Sequence, residues 1–225
     1  MPPDPRPLVY CETNWVVALA FPHHHHHERG RELHQRAGRG ECDLRLPYAA
    51  LLEARHPTTE ESNRLSTAFA VVSDALSNAV QNGWSDFGAA NAALDRSAMD
   101  RYLGRQAPRI IEELLADASV VLLRDPAPAI AEMDGLRAHL NFRGKDAVDL
   151  YLLAAVVGDR RREIERPAVF FSTNKKEFQP KGDPKAKLRE HFYEPYRMVW
   201  RDDFDLEQGV RHWHELFTVA PVLES

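Results

Sequence analysis

Two carboxylates, Asp146 and Asp149, stand three residues apart where Gly144-Lys-Asp-Ala-Val-Asp149 runs into an apolar stretch ending at Val157. Val148, Leu152, Ala155 and Val156 recur at helical spacing. Asp149 lies three and four residues before Leu152 and Leu153, which puts its carboxylate on or beside the buried stripe of that helix. A charge there must be offset by something. Capping is one offset: Asp146 as N-cap and Asp149 in the first turn both suit the free N–H groups and positive end of the helix. A bound cation is the other.

Further acids fall at equivalent places. Leu8-Val-Tyr-Cys11 reads as a short strand that turns polar at Glu12-Thr13-Asn14, with Thr13 or Asn14 as candidate cap of the helix that follows. Pro47 suits the first position of another helix, on which Ala49, Ala50 and Glu53 share a side; a surface ion pair of Glu53 with Arg55 or Arg64 is the alternative. Ala168 to Ser172 is a continuous apolar run, as in a parallel strand buried on both faces, and ends in Thr173 and Asn174. Strand C-termini and helix N-termini share one edge of an α/β sheet, so Glu12, Glu53, Asp149 and Asn174 are expected together. Carboxylates without well-spaced Cys or His make a hard oxygen site, suited to Mg²⁺ or Mn²⁺ rather than zinc. Such sites serve phosphodiester cleavage, because the cation activates water and neutralises charge on phosphate.

Four segments together resemble the PIN-domain nucleases, a superfamily of small metal-dependent ribonucleases that includes toxins of bacterial toxin–antitoxin pairs. They are Val9-Tyr-Cys-Glu-Thr-Asn-Trp-Val16, Leu46-Pro-Tyr-Ala-Ala-Leu-Leu-Glu-Ala54, Lys145-Asp-Ala-Val-Asp-Leu-Tyr-Leu-Leu-Ala-Ala155 and Phe170-Phe-Ser-Thr-Asn-Lys-Lys-Glu-Phe178. The resemblance implies a three-layer α/β/α sandwich around a mostly parallel sheet. It also implies a Mg²⁺- or Mn²⁺-dependent endoribonuclease in which Glu12, Glu53 and Asp149 hold the metal, with Thr13 and Asn174 in support. Asp146 joins through water or only caps. RNA would be the substrate, with an antitoxin protein and a second copy of the chain as partners. Two departures stand out: Glu12 replaces the usual Asp, and the fourth segment offers Asn174 or Lys175 where the family commonly has Asp. Glu177 is a candidate replacement acid; a solvent-facing position beside Phe178 is the alternative. The missing charge motivates a competing function, a PIN-like module of weak or no activity that binds RNA or protein. A structure-specific DNA nuclease is disfavoured, since no helix-hairpin-helix or basic run is present.

The elements that must position these groups alternate strand and helix: a single domain over residues 1–225, with a helical insertion at about 58–118 and a strand-helix extension at about 190–225. Before Leu8 comes a proline-rich tail. The insertion breaks at Asn82-Gly83, Gly88 and Gly104 to Pro108, and serves to cover the sheet or as a dimer or substrate surface. Ser119 to Leu123 is a further strand and about 128–140 a helix; Tyr196 to Trp200 is the last strand and Leu206 to Phe217 the closing helix.

A net charge of −5 provides no global field for nucleic acid, so contact must come from a local patch. Lys175, Lys176, Lys181, Lys185 and Lys187 follow the fourth segment and form that candidate patch; a solvated loop is the alternative. His23 to His27 cannot all face one ion and reads as a solvated polar stretch. Two cysteines, Cys11 and Cys42, make a disulfide framework improbable, and the run Trp15 to Phe21 is too short for a membrane span and lacks a signal-peptide pattern. A cytoplasmic protein is expected.

Overall fold

The computed structural model of the protein describes residues 6–93, 95–140, 147–180 and 186–218. Five strands form one parallel sheet in the order β3-β2-β1-β4-β5: Leu8–Cys11 (β1), Asp43–Pro47 (β2), Val120–Leu123 (β3), Ala168–Phe171 (β4) and Val199–Arg201 (β5). β1 and β4 are buried throughout, which accounts for their unbroken apolar sequences. Side chains alternate between two layers. Val9, Cys11, Leu44, Leu46, Val169 and Phe171 face one core, and Leu8, Tyr10, Ala168 and Phe170 face the other.

The first layer holds Thr13–Ala20 (α1), His27–Gly38 (α2), the C-terminal half of Arg96–Ala116 (α6) and Leu206–Phe217 (α11). The second holds Pro126–His139 (α7), Ala147–Arg160 (α8) and the short helix Ala186–Leu188 (α10) with the turn that follows it, which contribute Leu188, Phe192 and Tyr193. The result is the expected α/β/α sandwich. Gly158 lets α7 and α8 touch: a Cβ there would stand 2.6 Å from Cβ of Pro128.

Between β2 and β3 lie Tyr48–Glu53 (α3), the long helix Arg55–Gln81 (α4), Gly88–Ala93 (α5) and α6. Thr58 and Ser62 are the buried residues of α4, so past its second turn the helix is held by α6 rather than by the sheet. Ser62 Oγ donates to the Leu103 carbonyl at 2.9 Å, and Ser66 Oγ to Asp100 at 2.6 Å.

Several expectations need correction. α6 runs unbroken through Gly104 and Pro108, because burial of Leu103 on one side and Ile110, Ile111 and Leu114 on the other outweighs the hydrogen bond that proline cannot make. Pro47 ends β2 and precedes α3 instead of opening it. The last strand starts only at Val199, since Arg197 is in the left-handed region, φ 47°, where a strand cannot continue. Its conformation is held by Trp213 Nε1, which donates to its carbonyl at 2.5 Å, and by Glu165, 2.7 Å from its guanidinium. Val148 is exposed, because the packing surface of α8 begins at Leu150.

Charged residues within the second layer have a structural account. Arg45 of β2 pairs with Asp159 and Glu163, Arg166 with Asp43 at 2.6 Å, and Tyr10 donates to Asp159 at 2.8 Å. Arg160, fully buried, donates to the carbonyls of Tyr196, Glu163, Ile164 and Arg166 and ties the end of α8 to the following loops. This network lies toward the N-terminal edge of the strands, opposite the candidate site.

Candidate active site

Strand order reverses direction between β1 and β4, and the crevice beyond their C-terminal ends is where open α/β sheets bind ligands. Register fixes what meets there. Cys11 pairs with Phe171 and Phe171 with Arg201, so Glu12, Ser172 and Asp202 follow one another along the edge.

Glu12 is 3% exposed and is itself the N-cap of α1, in place of Thr13 or Asn14: its Oε2 accepts from the Asn14 N–H at 2.9 Å. Capping uses one oxygen. Oε1 is buried with no hydrogen-bond partner among the described residues. The Ser172 hydroxyl lies beside the Glu12 carboxylate and favours its charged form, and it accepts from the Asn174 N–H at 3.0 Å. Burial raises the Glu12 carboxyl to about 7 and the neighbouring Glu53 carboxylate adds to the rise, against the lowering by Asn14 and Ser172.

Glu53 ends α3, which packs against α1 and α8. Its Oε2 accepts from the hydroxyl of buried Thr13. The surface-pair alternative is not realised with Arg64, which pairs with Glu61 at 2.5 Å. Asp149, half-buried, occupies the first turn of α8, which packs against α3, the helix that ends in Glu53. Asp146 lies outside the described residues, as do Lys181 and Lys185.

Glu12, Thr13 and Glu53 are thus brought into contact, with Asp149 on an adjoining element. Among the described residues no three acid, histidine or thiol groups close to metal-binding separation. The donor set still fits a hard divalent cation: the groups are oxygen ligands, and Glu12 Oε1 is a buried acceptor without a donor. A cation at that oxygen would relieve both the desolvation of Glu12 and its repulsion from Glu53.

Asn174 caps Lys175–Phe178 (α9), its Oδ1 accepting from the Glu177 N–H at 3.3 Å, and Lys175 Nζ is 2.5 Å from Asp202. Lys176 Nζ is 3.5 Å from Glu177, whose side chain is partly buried, while Lys187 is exposed. The described lysines at the start of the patch therefore stand beside acids. Within the histidine run, His27 is buried with Nδ1 2.9 Å from the Ala18 carbonyl and His23 is 2.7 Å from Glu61, so the run is not uniformly solvated.

Ser172 and Asp202 were missed by the sequence reading. The serine that ends an apolar strand was the available signal, but only the β1–β4 register shows that it meets Glu12. A cavity of about 760 Å³ runs along β5 and α11, lined by Tyr193, Trp200, Asp202, His212 and Phe217 among others. Its acids are Glu194 and Asp202, and Asp202 is the residue that stands beside Ser172 along the candidate edge.

No family model and no curated protein matches the chain. The functional reading therefore rests on the site and on the four segments. Among the described residues no helix is long and apolar enough to cross a membrane.

Proposed function

We propose that the chain is a Mg²⁺- or Mn²⁺-dependent endoribonuclease of the PIN-like kind, with Glu12, Glu53 and Asp149 as the metal-holding acids. The observation that carries this is Glu12: a buried carboxylate at the switch point of a parallel sheet, one oxygen without a donor, beside a second carboxylate. A purely structural cap has no need of that free oxygen.

When bound, the cation would supply charge neutralisation at the phosphate and acidification of a water. The chain's own groups do the positioning. Asn14 and Ser172 fix the Glu12 carboxylate, Thr13 fixes Glu53, and Asp149 approaches from the start of α8. An antitoxin partner follows from the resemblance of the four segments to toxin-type members of the family, a second copy of the chain would pair through the helical insertion, and a cytoplasmic setting fits the two free cysteines. A short open reading frame beside the gene would support the first of these.

One observation favours the alternative, a PIN-like module that binds without cutting: the lysine at the fourth position is bound to Asp202, so neither supplies a free negative charge. Incubation of mixed single-stranded RNA and DNA with the protein in Mg²⁺, Mn²⁺ or EDTA separates the readings. The nuclease cuts RNA with metal and stops in EDTA. Cutting that persists unchanged in EDTA contradicts the metal-dependent reading, and RNA binding without cutting establishes the module.

A further inference from the structure

The insertion carries a basic row that the proposed chemistry does not use. Arg101, Arg105 and Arg109 on α6 are all exposed and recur every fourth residue, so successive guanidinium stems stand about 6 Å apart along one side of the helix. Arg109 pairs with Glu113 at 2.7 Å, whereas Arg101 and Arg105 have no carboxylate partner among the described residues. Beside them runs a second row, Ala98, Tyr102 and Gln106, and the two rows line a trough of about 410 Å³ that contains no acid. Tyr102 is 46% exposed, an aromatic face left open in the trough floor.

The trough continues. Tyr102, Gln106 and Arg109 also line a groove of about 220 Å³ toward the start of α2, where Arg31 joins and Glu113 is the acid. Arg31 is exposed and likewise without a carboxylate partner among the described residues. Leu19 and Ala20, the end of α1, form the near wall. α1 has eight residues, so it spans only about 12 Å from that wall to Thr13 and Glu12.

We propose that Arg101, Arg105, Arg109 and Arg31, with Tyr102 as a stacking face, form a track for the backbone of a single-stranded nucleic acid that flanks the carboxylate edge. The direction of the track toward a cleavage site rests on the ribonuclease reading; its existence does not. Cations at one-turn spacing, two of the three without a carboxylate partner among the described residues, match the repeat of phosphates along an extended strand. An open aromatic between them matches the way sequence-tolerant single-strand sites combine charge and stacking. In a chain of net charge −5, four arginines facing one glutamate form a local exception of the kind such binding requires. An acidic protein segment would also satisfy the charge, but it has no use for an exposed ring between cations.

The test measures binding of a fluorescein-labelled single-stranded oligoribonucleotide in EDTA, where cleavage plays no part, across a range of KCl concentrations. Arg101→Gln, Arg105→Gln and Arg109→Gln together remove three phosphate contacts, so the slope of log affinity against log salt becomes shallower by about two, at ~0.7 per contact. Tyr102→Leu weakens binding with the slope unchanged. The substituted side chains are exposed, and unchanged melting of the variants shows that the fold is kept. An unaltered slope in the triple variant overturns the track, and so does competition by polyglutamate as effective as by unlabelled RNA. Because the readout is binding, a parent protein that binds through this row but never cuts refutes the nuclease and leaves the track standing.

Discussion

The hydroxyl of Thr13 donates to Oε2 of Glu53, forty residues away in the chain. It joins the residue next to one candidate ligand to the other, so the positions of Glu12 and Glu53 are coupled. Thr13→Val keeps the shape and removes the donor. Metal affinity, measured by Mn²⁺ titration calorimetry, should fall ~10- to 100-fold, as for loss of other groups that orient ligands. Half-buried Glu53 can take water instead, so stability should change by no more than about 1 kcal/mol. Unchanged Mn²⁺ affinity would make the contact purely structural.

Metal-free stability should depend on the charge of Glu12. Its folded value of about 7 lies above the ordinary glutamate value of 4.5, so the folded state holds the proton more tightly. The associated stability is fully present below pH 4.5 and is lost as pH rises through 7. The loss amounts to roughly 3 kcal/mol at most, from 1.36 kcal/mol per unit. Urea unfolding in EDTA at a series of pH values reads it, and Glu12→Gln should remove this component. A parent and variant with the same pH dependence would show that Glu12 is not raised.

Much of this arrangement is legible in the sequence, because parallel strands and amphipathic helices advertise themselves. Leu8–Cys11, Ala168–Phe171 and the helix Leu206–Phe217 are read from apolar pattern alone. What fails is whatever depends on register or on tertiary compensation. Ser172 is ordinary until the β1–β4 pairing sets it beside Glu12, and Pro108 reads as a helix break until Ile110, Ile111 and Leu114 are seen to be buried. In the sequence Thr13 or Asn14 reads as the cap; only the backbone geometry shows Oε2 of Glu12 reaching the Asn14 N–H.

Gly158→Ala should destabilise the second layer. The added methyl would meet Cβ of Pro128 at 2.6 Å and its carbonyl carbon at 3.0 Å, both on a neighbouring helix with little freedom to yield. Overpacking of this kind costs typically ~1 to 3 kcal/mol, to be read as a fall in the urea midpoint at constant slope. An unchanged midpoint would mean that α7 shifts away freely.

The most direct test of the central claim is the initial rate of single-stranded RNA cleavage in Mn²⁺ by Asp149→Asn relative to the parent. The substitution keeps size and most hydrogen bonding while removing the charge from the first turn of α8, so stability should be equal or slightly higher without metal. The account predicts a fall beyond the ~100-fold that loss of a merely supporting group can cost. Asp146→Asn in the same assay should stay near the parent, since Asn caps nearly as well as Asp. Asp149→Asn cutting at the parental rate, or falling no further than Asp146→Asn, would contradict the assignment of Asp149 to the metal and with it the placement of the active site.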